Sequence, residues 1–256
     1  MIIKVQDASI QQIKQRVNES SIDQLNALIP QLKNDSRKGV QKILASLNRK
    51  INGYKSYLKL WEWEESSNYK VVGCDEAGRG PVAGPVVAAA VTFNNRPNLV
   101  GVKDSKRLNS SQREALASEI EEQALYFDVQ FIDNDIIDEL NILNATKLAM
   151  KNSVERVAKP DSLILIDGNF AIETKLKQKS IIKGDDKCGS IAAASILAKV
   201  YRDRYMEEMD KLYPEYGFSQ NKGYPTKEHL DAIQTYGVTP IHRITFKGVK
   251  EVGKNA

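Results

Sequence analysis

The stretch Lys70–Phe93, KVVGCDEAGRGPVAGPVVAAAVTF, contains the pattern that decides the fold. It begins with a short β-rich run at residues 70–74 and ends with a longer one at residues 85–93. A loop rich in glycine and proline separates the two runs. Because so short a connection joins them, the two runs are expected to pair as antiparallel strands. A β-sheet is therefore predicted to start here.

Further strands and helices alternate downstream of this pair. Apolar side chains recur at helical spacing after residue 110 and again over 144–157. The run 162–166 is continuously apolar, as expected of a strand that is buried on both faces. Mixed strands with interleaved helices predict an α/β domain. The remaining predicted elements are strands at 125–131 and 180–182 and helices at 191–212 and 227–236.

The first sixty-odd residues have a different pattern, which is helical. Ser21–Gln24 matches a capping box, and apolar residues follow it at helical spacing. Pro30 within that run predicts a kinked or shortened helix. A second run over 34–61 then predicts a hairpin of two helices. We therefore expect a small helical N-terminal domain over residues 1–66 and a second domain over residues 69–256.

Basic side chains decorate the predicted hairpin. A basic helical surface is usually only solvated, and this interpretation is favoured; binding of phosphates is the alternative. The residues concerned are Arg37, Lys38, Lys42, Arg49, Lys50 and Lys55.

Composition limits the class of protein. A hydrophobic share of 41% suffices for a core and argues against disorder of the whole chain. The net charge of +4 and the pI near 8.8 permit a polyanionic partner but do not prove one. Two cysteines, Cys74 and Cys188, imply no disulfide framework, and no secretory signal or membrane-spanning run is visible. We expect a soluble, cytoplasmic protein with no membrane association.

Acidic residues follow the ends of three predicted strands. Asp75 and Glu76 follow the first, Asp167 the fourth and Asp185 the fifth. If these strand ends are neighbours, four carboxylates converge, and their repulsion requires a cation. Oxygen ligands without His or Cys suit Mg²⁺ or Mn²⁺ rather than zinc. Because Mg²⁺ typically completes its shell with phosphate oxygens of the substrate, such a site indicates phosphoryl transfer. Acidic residues also occur in turns for structural reasons alone, so the strand pattern leaves both interpretations open.

The loop after the first strand is more informative. Gly78 and Gly80 flank Arg79, which would let the main chain approach a ligand while the guanidinium meets a phosphate. A tight turn that needs glycine is the alternative. The full run from Gly73 to Pro85 resembles the signature of bacterial ribonuclease HII. Further matching segments follow in the family's order, over about residues 69–247: Asp104–Leu108, Asp167–Asn169, Lys183–Asp185 with Ser190–Val200, Asn221–His229 and His242–Arg243.

The resemblance implies a fold and a set of site residues. The fold is RNase H-like, with a mixed five-stranded sheet, flanking helices and a helical C-terminal part, and the N-terminal hairpin is similar to an extension found in some members. Asp75, Glu76, Asp167 and Asp185 become the catalytic, metal-binding carboxylates. Gly78, Arg79 and Gly80 become the loop that senses a ribose 2′-hydroxyl, and Tyr224 the aromatic residue that stacks on the next deoxyribose.

The implied activity is hydrolysis of the RNA strand of RNA–DNA hybrids. It includes a cut on the 5′ side of single ribonucleotides in duplex DNA, leaving a 3′-hydroxyl and a 5′-phosphate. We expect a monomer that uses Mg²⁺ or Mn²⁺, with Lys187 as a candidate cation near the reacting phosphate. Asp186, where the family commonly has alanine, could share the metal site, and Pro225, in place of a common glycine, could shift Tyr224.

Three other functions are alternatives, of which an architectural DNA-binding protein is poorly supported by the modest net charge. A ribonuclease HIII-like enzyme would cut hybrids without dependence on the junction. Arg79 between its glycines and Asp at the fourth acidic position argue against it. A hybrid-binding module without catalysis is the remaining alternative, and the presence of all four carboxylates argues against that.

Overall fold

The computed structural model describes residues 5–102 and 108–251 of the 256-residue chain. Two compact units, Met1–Leu58 and Lys59–Ala256, make up the chain. The predicted domain boundary near residues 66–69 stays a prediction. Most of the segment Asp104–Leu108, which contributed to the resemblance, lies outside the described residues.

The first unit is built from helices. A helix at Ile10–Glu19 (α1) precedes the two expected ones, Ile22–Lys33 (α2) and Lys38–Glu65 (α3), so the two-helix hairpin was incomplete. The short, largely polar α1 gives little periodic signal, and a capping box at Ser9 starts it. α2 continues past Pro30, because burial of its leucines outweighs the lost amide hydrogen bond. Those buried residues are Leu25, Leu28 and Leu32.

The second unit contains the predicted mixed five-stranded sheet. Its strand order is β3-β2-β1-β4-β5. β1 pairs antiparallel with β2, as predicted, and parallel with β4, which in turn pairs parallel with β5. The strands are Lys70–Ala77 (β1), Val86–Thr92 (β2), Tyr126–Ile132 (β3), Ser162–Asp167 (β4) and Lys177–Ile181 (β5).

Helices cover the two faces of this sheet. Alternate residues of β1 point to opposite sides, so Cys74 enters the core on the α6 side while Gly73 approaches α7. No helix in the described residues is long and apolar enough to cross a membrane. The helices of this unit, besides the end of α3, are Ser110–Gln123 (α4), Asn134–Leu140 (α5), Ile142–Val157 (α6), Gly189–Leu212 (α7), Phe218–Asn221 (α8) and Lys227–Tyr236 (α9).

The parallel strands β1, β4 and β5 end at the same edge of the sheet. Asp75 and Glu76 lie within the last three residues of β1, because this strand extends to Ala77. The sequence analysis had placed both residues after the end of the strand. Asp167 is the last residue of β4, and Asp185 lies in the 3₁₀ turn Gly184–Asp186 beyond β5. β5 begins three residues before its predicted start, since this edge strand is polar and partly exposed there.

Candidate active site

Asp75 is buried at the carboxyl-terminal edge of the sheet. Only 5% of its surface is exposed, and its Oδ1 accepts a hydrogen bond of 2.7 Å from the amide of Glu76. Burial holds the pKa of Asp75 well above its usual value, and the charges of Glu76 and Asp167 raise it further. A hydrogen bond from Ser195 of α7 acts in the opposite direction. Three of the four predicted carboxylates are therefore close enough to repel one another.

Glu76 has one satisfied and one unsatisfied oxygen. Its Oε1 lies 3.2 Å from Nη1 of Arg79, whose half-exposed side chain makes this a weak ion pair. Its Oε2 is buried and has no hydrogen-bond partner among the described residues. Burial raises the pKa of Glu76, and the Arg79 cation only partly offsets this. A buried carboxylate oxygen without a donor is costly, and a bound cation would remove that cost.

The turn that carries Asp185 is tied to Asp167. The amide of Gly184 donates a 2.6 Å hydrogen bond to Oδ1 of Asp167. Lys187, two residues beyond Asp185, donates from Nζ to the carbonyl oxygen of Ile182 at 2.6 Å and is exposed. Within residues 5–102 and 108–251, no three His, Cys, Asp or Glu side chains are already grouped as ligands for a metal ion. The donor chemistry suits a hard cation, but closer grouping would accompany its binding.

Two fully buried arginines shape the glycine-rich loop. Arg243 donates to the carbonyl oxygens of Gly78 and Pro81 at 2.7 Å and of Gly84 at 2.9 Å. Burial lowers the pKa of Arg243 to about 9, which still leaves it charged at neutral pH. Arg202 of α7 has an equivalent role, donating to the carbonyls of Ala83, Pro85 and Lys222. Carbonyl dipoles thus satisfy both guanidinium groups.

This arrangement orients the peptide groups of the loop. A trans peptide has its C=O and N–H on opposite sides, so a Gly78 carbonyl turned towards Arg243 directs the amide of Arg79 away from it. The Arg79 carbonyl, 3.3 Å from Nη1 of Arg243, directs the Gly80 amide in the same sense. Gly78 has φ of +94°, and a Cβ there would lie 2.1 Å from Nε of Arg202. Both torsion and space therefore require glycine at this position.

Tyr224 lies beside this loop with its ring available. Its side chain is 46% exposed, and a Cβ built on Gly80 would lie 3.3 Å from the ring. The two residues border a cavity of about 460 Å³. That cavity also contacts Glu76, Arg79, Arg113, Ser195, Lys199 and Arg202.

The cavity contains cationic groups that the sequence analysis did not identify. Lys199 of α7 pairs with Asp203 at 2.5 Å, and Arg113 of α4 approaches the same carboxylate at 3.8 Å. Arg113 also donates to the Leu108 carbonyl. Asp203 therefore holds two cations from different helices at the cavity wall. The helical spacing of Lys199 and Asp203, four residues apart, was the available signal, but it is common on solvated helices.

A histidine pair supports the backbone of Tyr224. The carbonyl of Tyr224 lies 2.8 Å from Nδ1 of His229, so this nitrogen carries the proton. The amide of Thr239 donates to Nδ1 of His242, so the proton of His242 is on Nε2. The two Nε2 atoms are 3.0 Å apart, and His242 therefore donates to His229. Each imidazole is neutral, and each tautomer is fixed by a backbone group. The hydroxyl of Thr226 caps α9 by accepting a hydrogen bond from the amide of His229.

Both imidazoles, the only histidines in the sequence, are expected to have a pKa below the usual histidine value. Burial, then the neighbouring His229, lowers the pKa of His242 from 6.5 to about 4; burial also lowers that of His229. Because the folded-state pKa of His242 is lowered, its contribution to the free energy of unfolding is fully present above pH 6.5. That contribution is lost as the pH falls towards 4. The loss for His242 is on the order of 3 kcal/mol. Imidazole proton NMR, with only two signals to follow, checks this directly.

The matching stability measurement compares wild type with His242→Gln across pH 7 to 4.5. The difference between the two proteins is the readout, because Glu64, whose pKa burial raises to about 7, changes stability with the opposite sign. The wild-type free energy of unfolding should fall more steeply with acid than that of the variant. Titration of either imidazole near 6.5 would contradict the assignment.

Comparison with sequence families gives two matches. The profile described as Ribonuclease HII matches residues 72–249, and that of the Ribonuclease HII N-terminal domain matches residues 9–63. The first match covers the sheet, the cavity and the buried arginines. The second lies almost entirely within the helical first unit.

Individual relatives agree with these matches. A ribonuclease HII of Clostridioides difficile is 42% identical over 250 residues, covering 94% of this chain and 98% of the relative. One from Ruminiclostridium cellulolyticum is 52% identical over 182 residues, 71% of each chain. The crystal structure of the ribonuclease H2 from Pyrococcus horikoshii OT3 superposes with a TM-score of 0.62 and 29% identity. The superposition covers 73% of this chain and 98% of the Pyrococcus horikoshii chain.

Proposed function

This chain belongs to the ribonuclease HII family, and from that premise we propose that Asp75, Glu76, Asp167 and Asp185 form its metal-binding catalytic centre. The protein is an endoribonuclease that hydrolyses the RNA strand of RNA–DNA hybrids. The observation that carries the proposal is the buried, unpartnered Oε2 of Glu76 beside the raised-pKa carboxyl of Asp75.

The family depends on divalent metal ions, and the residues present fit one. All four side chains offer oxygen, which suits Mg²⁺ or Mn²⁺. The bound cation would supply Lewis-acid stabilisation of the scissile phosphate and an activated water. Asp75 and Glu76 would hold it from β1, Asp167 from β4, and Asp185 from the turn that the Gly184 amide ties to Asp167.

The glycine-rich loop is proposed to recognise the ribose. The amides of Arg79 and Gly80 point away from Arg243, so they can donate to a 2′-hydroxyl on the cavity side. A 2′-hydroxyl distinguishes RNA from DNA because it both donates and accepts hydrogen bonds. Backbone amides do not read a base, so cleavage independent of sequence is expected.

Tyr224 is proposed to distinguish deoxyribose from ribose in the nucleotide that follows the ribonucleotide. Its exposed ring borders Gly80, and an apolar ring packs better on a deoxyribose than on a sugar with an additional hydroxyl. Pro225 biases Tyr224 towards an extended backbone, and His229 holds its carbonyl. These two constraints favour a ring that is positioned before substrate binds.

Positive charge near the reacting phosphate is proposed to come from two sources. Lys187 has three donors, of which the Ile182 carbonyl takes one within the described residues. Arg113 and Lys199 add cations to the cavity wall. The enzyme is proposed to act as a monomer on hybrids and on duplex DNA that contains ribonucleotides.

The test uses duplex DNA that carries one ribonucleotide, a second duplex with a long RNA–DNA hybrid, and Mg²⁺ or Mn²⁺. We expect one cut on the 5′ side of the ribonucleotide, leaving a 3′-hydroxyl and a 5′-phosphate. Tyr224→Ala should cut the single-ribonucleotide duplex about 5- to 150-fold more slowly, as expected when a stacking contact of about 1–3 kcal/mol is lost. Product ends are read by sequencing gel and phosphatase treatment.

Other outcomes would point to the alternatives. Cutting of the long hybrid alone would contradict junction recognition and favour a ribonuclease HIII-like activity. Tight binding of the hybrid without cleavage under either metal would leave a hybrid-binding module and contradict the catalytic assignment.

A further inference from the structure

The net positive charge of this protein comes from the first unit. Residues 1–58 contain ten Lys or Arg and four Asp or Glu, a net charge of +6. The other 198 residues contain 27 basic and 29 acidic residues, a net charge of −2. The unit that holds the carboxylates therefore offers little long-range attraction to a polyanion, whereas the helical unit offers a great deal.

One helix face concentrates this charge. Lys38, Lys42 and Arg49 of α3 are exposed, and we call them the α3 basic face. Spacings of four and seven residues place them within about 40° of one another around the helix, roughly 6 and 10 Å apart along its axis. Two exposed residues between Lys42 and Arg49, Ala45 and Ser46, are small and uncharged. The three cations therefore form a row that a linear ligand can follow.

No acidic residue balances this row from its own helix segment. Residues 36–61 contain no Asp or Glu, so the i,i+4 pairing that usually neutralises a solvated helix is missing. The nearest acid in sequence, Asp35, is buried and pairs with Arg37 at 2.5 Å. No ion pair joins Lys38, Lys42 or Arg49 to a carboxylate in the part of the chain that the structure describes.

Arg37 is excluded from the row because it belongs to the fold. Its guanidinium donates to the carbonyl oxygens of Val5 and Ala8 besides pairing with Asp35. Among residues 5–102 and 108–251, the neighbouring basic residues Lys38 and Lys42 make no such contact. The sequence analysis grouped Arg37 with the surface cations, and the structure separates it from them.

We propose that the α3 basic face binds the sugar–phosphate backbone of the duplex that the second unit cuts. The proposal rests on the proposed function, from which the substrate follows. A duplex presents closely spaced phosphates along each strand, which a row of cations can follow without reading sequence or sugar. A membrane surface is disfavoured, because the apolar side of α3 is buried in the core of its own unit. The first unit thus contributes affinity for the duplex, and the second unit distinguishes ribose from deoxyribose.

The experiment uses the full chain with Lys38→Gln, Lys42→Gln and Arg49→Gln combined. The matched control, Lys33→Gln, Lys50→Gln and Lys55→Gln, removes the same charge from exposed residues of the same unit outside the row. Affinity for an all-DNA duplex is measured by fluorescence anisotropy in EDTA from 50 to 200 mM salt. Each lost phosphate contact reduces the slope of log affinity against log salt by about 0.9, so the row variant should lose between about 2 and 3.

Hybrid cleavage gives a second readout. The row variant should raise KM about tenfold or more at low salt and leave kcat unchanged, because the row does not touch the reacting atoms. The control triple should change both the slope and KM much less. Circular dichroism and thermal melting confirm that each variant is folded.

Several outcomes would overturn the proposal. Equal losses in both triples would mean that only bulk charge matters, and no change in either would mean that the first unit does not contact the duplex. Tighter binding to anionic vesicles than to duplex would assign the face to a membrane. Failure of the proposed function is distinguishable, since it would abolish cutting at the ribonucleotide while binding to all-DNA duplex still depended on the row.

Discussion

Asp75→Asn should abolish detectable cleavage while making the metal-free protein more stable. Asp75 is buried beside Glu76 and Asp167, and a neutral amide of the same size cannot replace it as an anionic ligand. A metal's stabilisation of transition-state charge is worth several kcal/mol, which corresponds to a rate loss of about 10³-fold or more. Single-turnover cleavage of a duplex with one ribonucleotide, at saturating enzyme, measures the loss.

The gain in stability has the same physical cause. At neutral pH the folded metal-free protein must bury a carboxyl group whose charged form is disfavoured, and Asn removes that cost. Mg²⁺ or Mn²⁺ should raise the melting temperature of wild type and leave that of Asp75→Asn nearly unchanged. Asp186→Asn is the matched control, because Asp186 is exposed on the turn next to Asp185. If Asp186→Asn lost as much cleavage activity as Asp75→Asn, the fourth metal ligand would be Asp186 instead of Asp185.

Gly73→Ala should destabilise the second unit by about 3 kcal/mol or more, at the upper end of the range for overpacked cores. A Cβ at Gly73 would lie 2.1 Å from the carbonyl carbon of Ser190 and 2.4 Å from the amide nitrogen of Ile191. Both atoms belong to the backbone of α7, so no side-chain rotation can relieve the clash. β1 and α7 would have to separate, although the substitution adds a single methyl group. Urea unfolding followed by circular dichroism measures the change.

Gly53→Ala is the control for this substitution. Gly53 lies within α3 with no atom of another part of the chain within 4 Å of its built Cβ, so the same methyl group meets nothing. Alanine there should stabilise the helix by about 0.5–1 kcal/mol, because glycine loses more backbone entropy. Stability of Gly73→Ala equal to wild type would show that β1 and α7 are further apart than described.

The sequence by itself determined the features that depend on neighbouring residues. The short connection between two β-rich runs predicted the antiparallel β1–β2 pair, and a capping box marked the start of α2 at Ser21. The run Gly73–Pro85 indicated the family, which the comparisons confirmed. These signals are readable because hydrogen-bonded turns, caps and pleats act over a few residues.

The sequence located the acidic residues but not their surroundings. It predicted that Asp75 and Asp167 would lie close together if their strands were neighbours. The structure shows that β1 and β4 are neighbouring, parallel strands. It did not predict that Oε2 of Glu76 is buried without a donor, because burial depends on every element packed around an atom. The assignment of every site residue stays a prediction: the carboxylates Asp75, Glu76, Asp167 and Asp185, the loop Gly78–Gly80, Lys187 and Tyr224.

The tertiary structure alone decided how the glycine-rich loop is held. Arg243 follows the loop by about 160 positions, yet it donates to four of its carbonyls, and Arg202 of α7 donates to others. The sequence favours an exposed role for arginine, since a buried guanidinium is costly unless every donor is satisfied. Here each guanidinium nitrogen donates to a backbone carbonyl, a group that every residue has and that leaves no signature in the side-chain sequence. The partners of a buried charge therefore become known only when distant segments pack together.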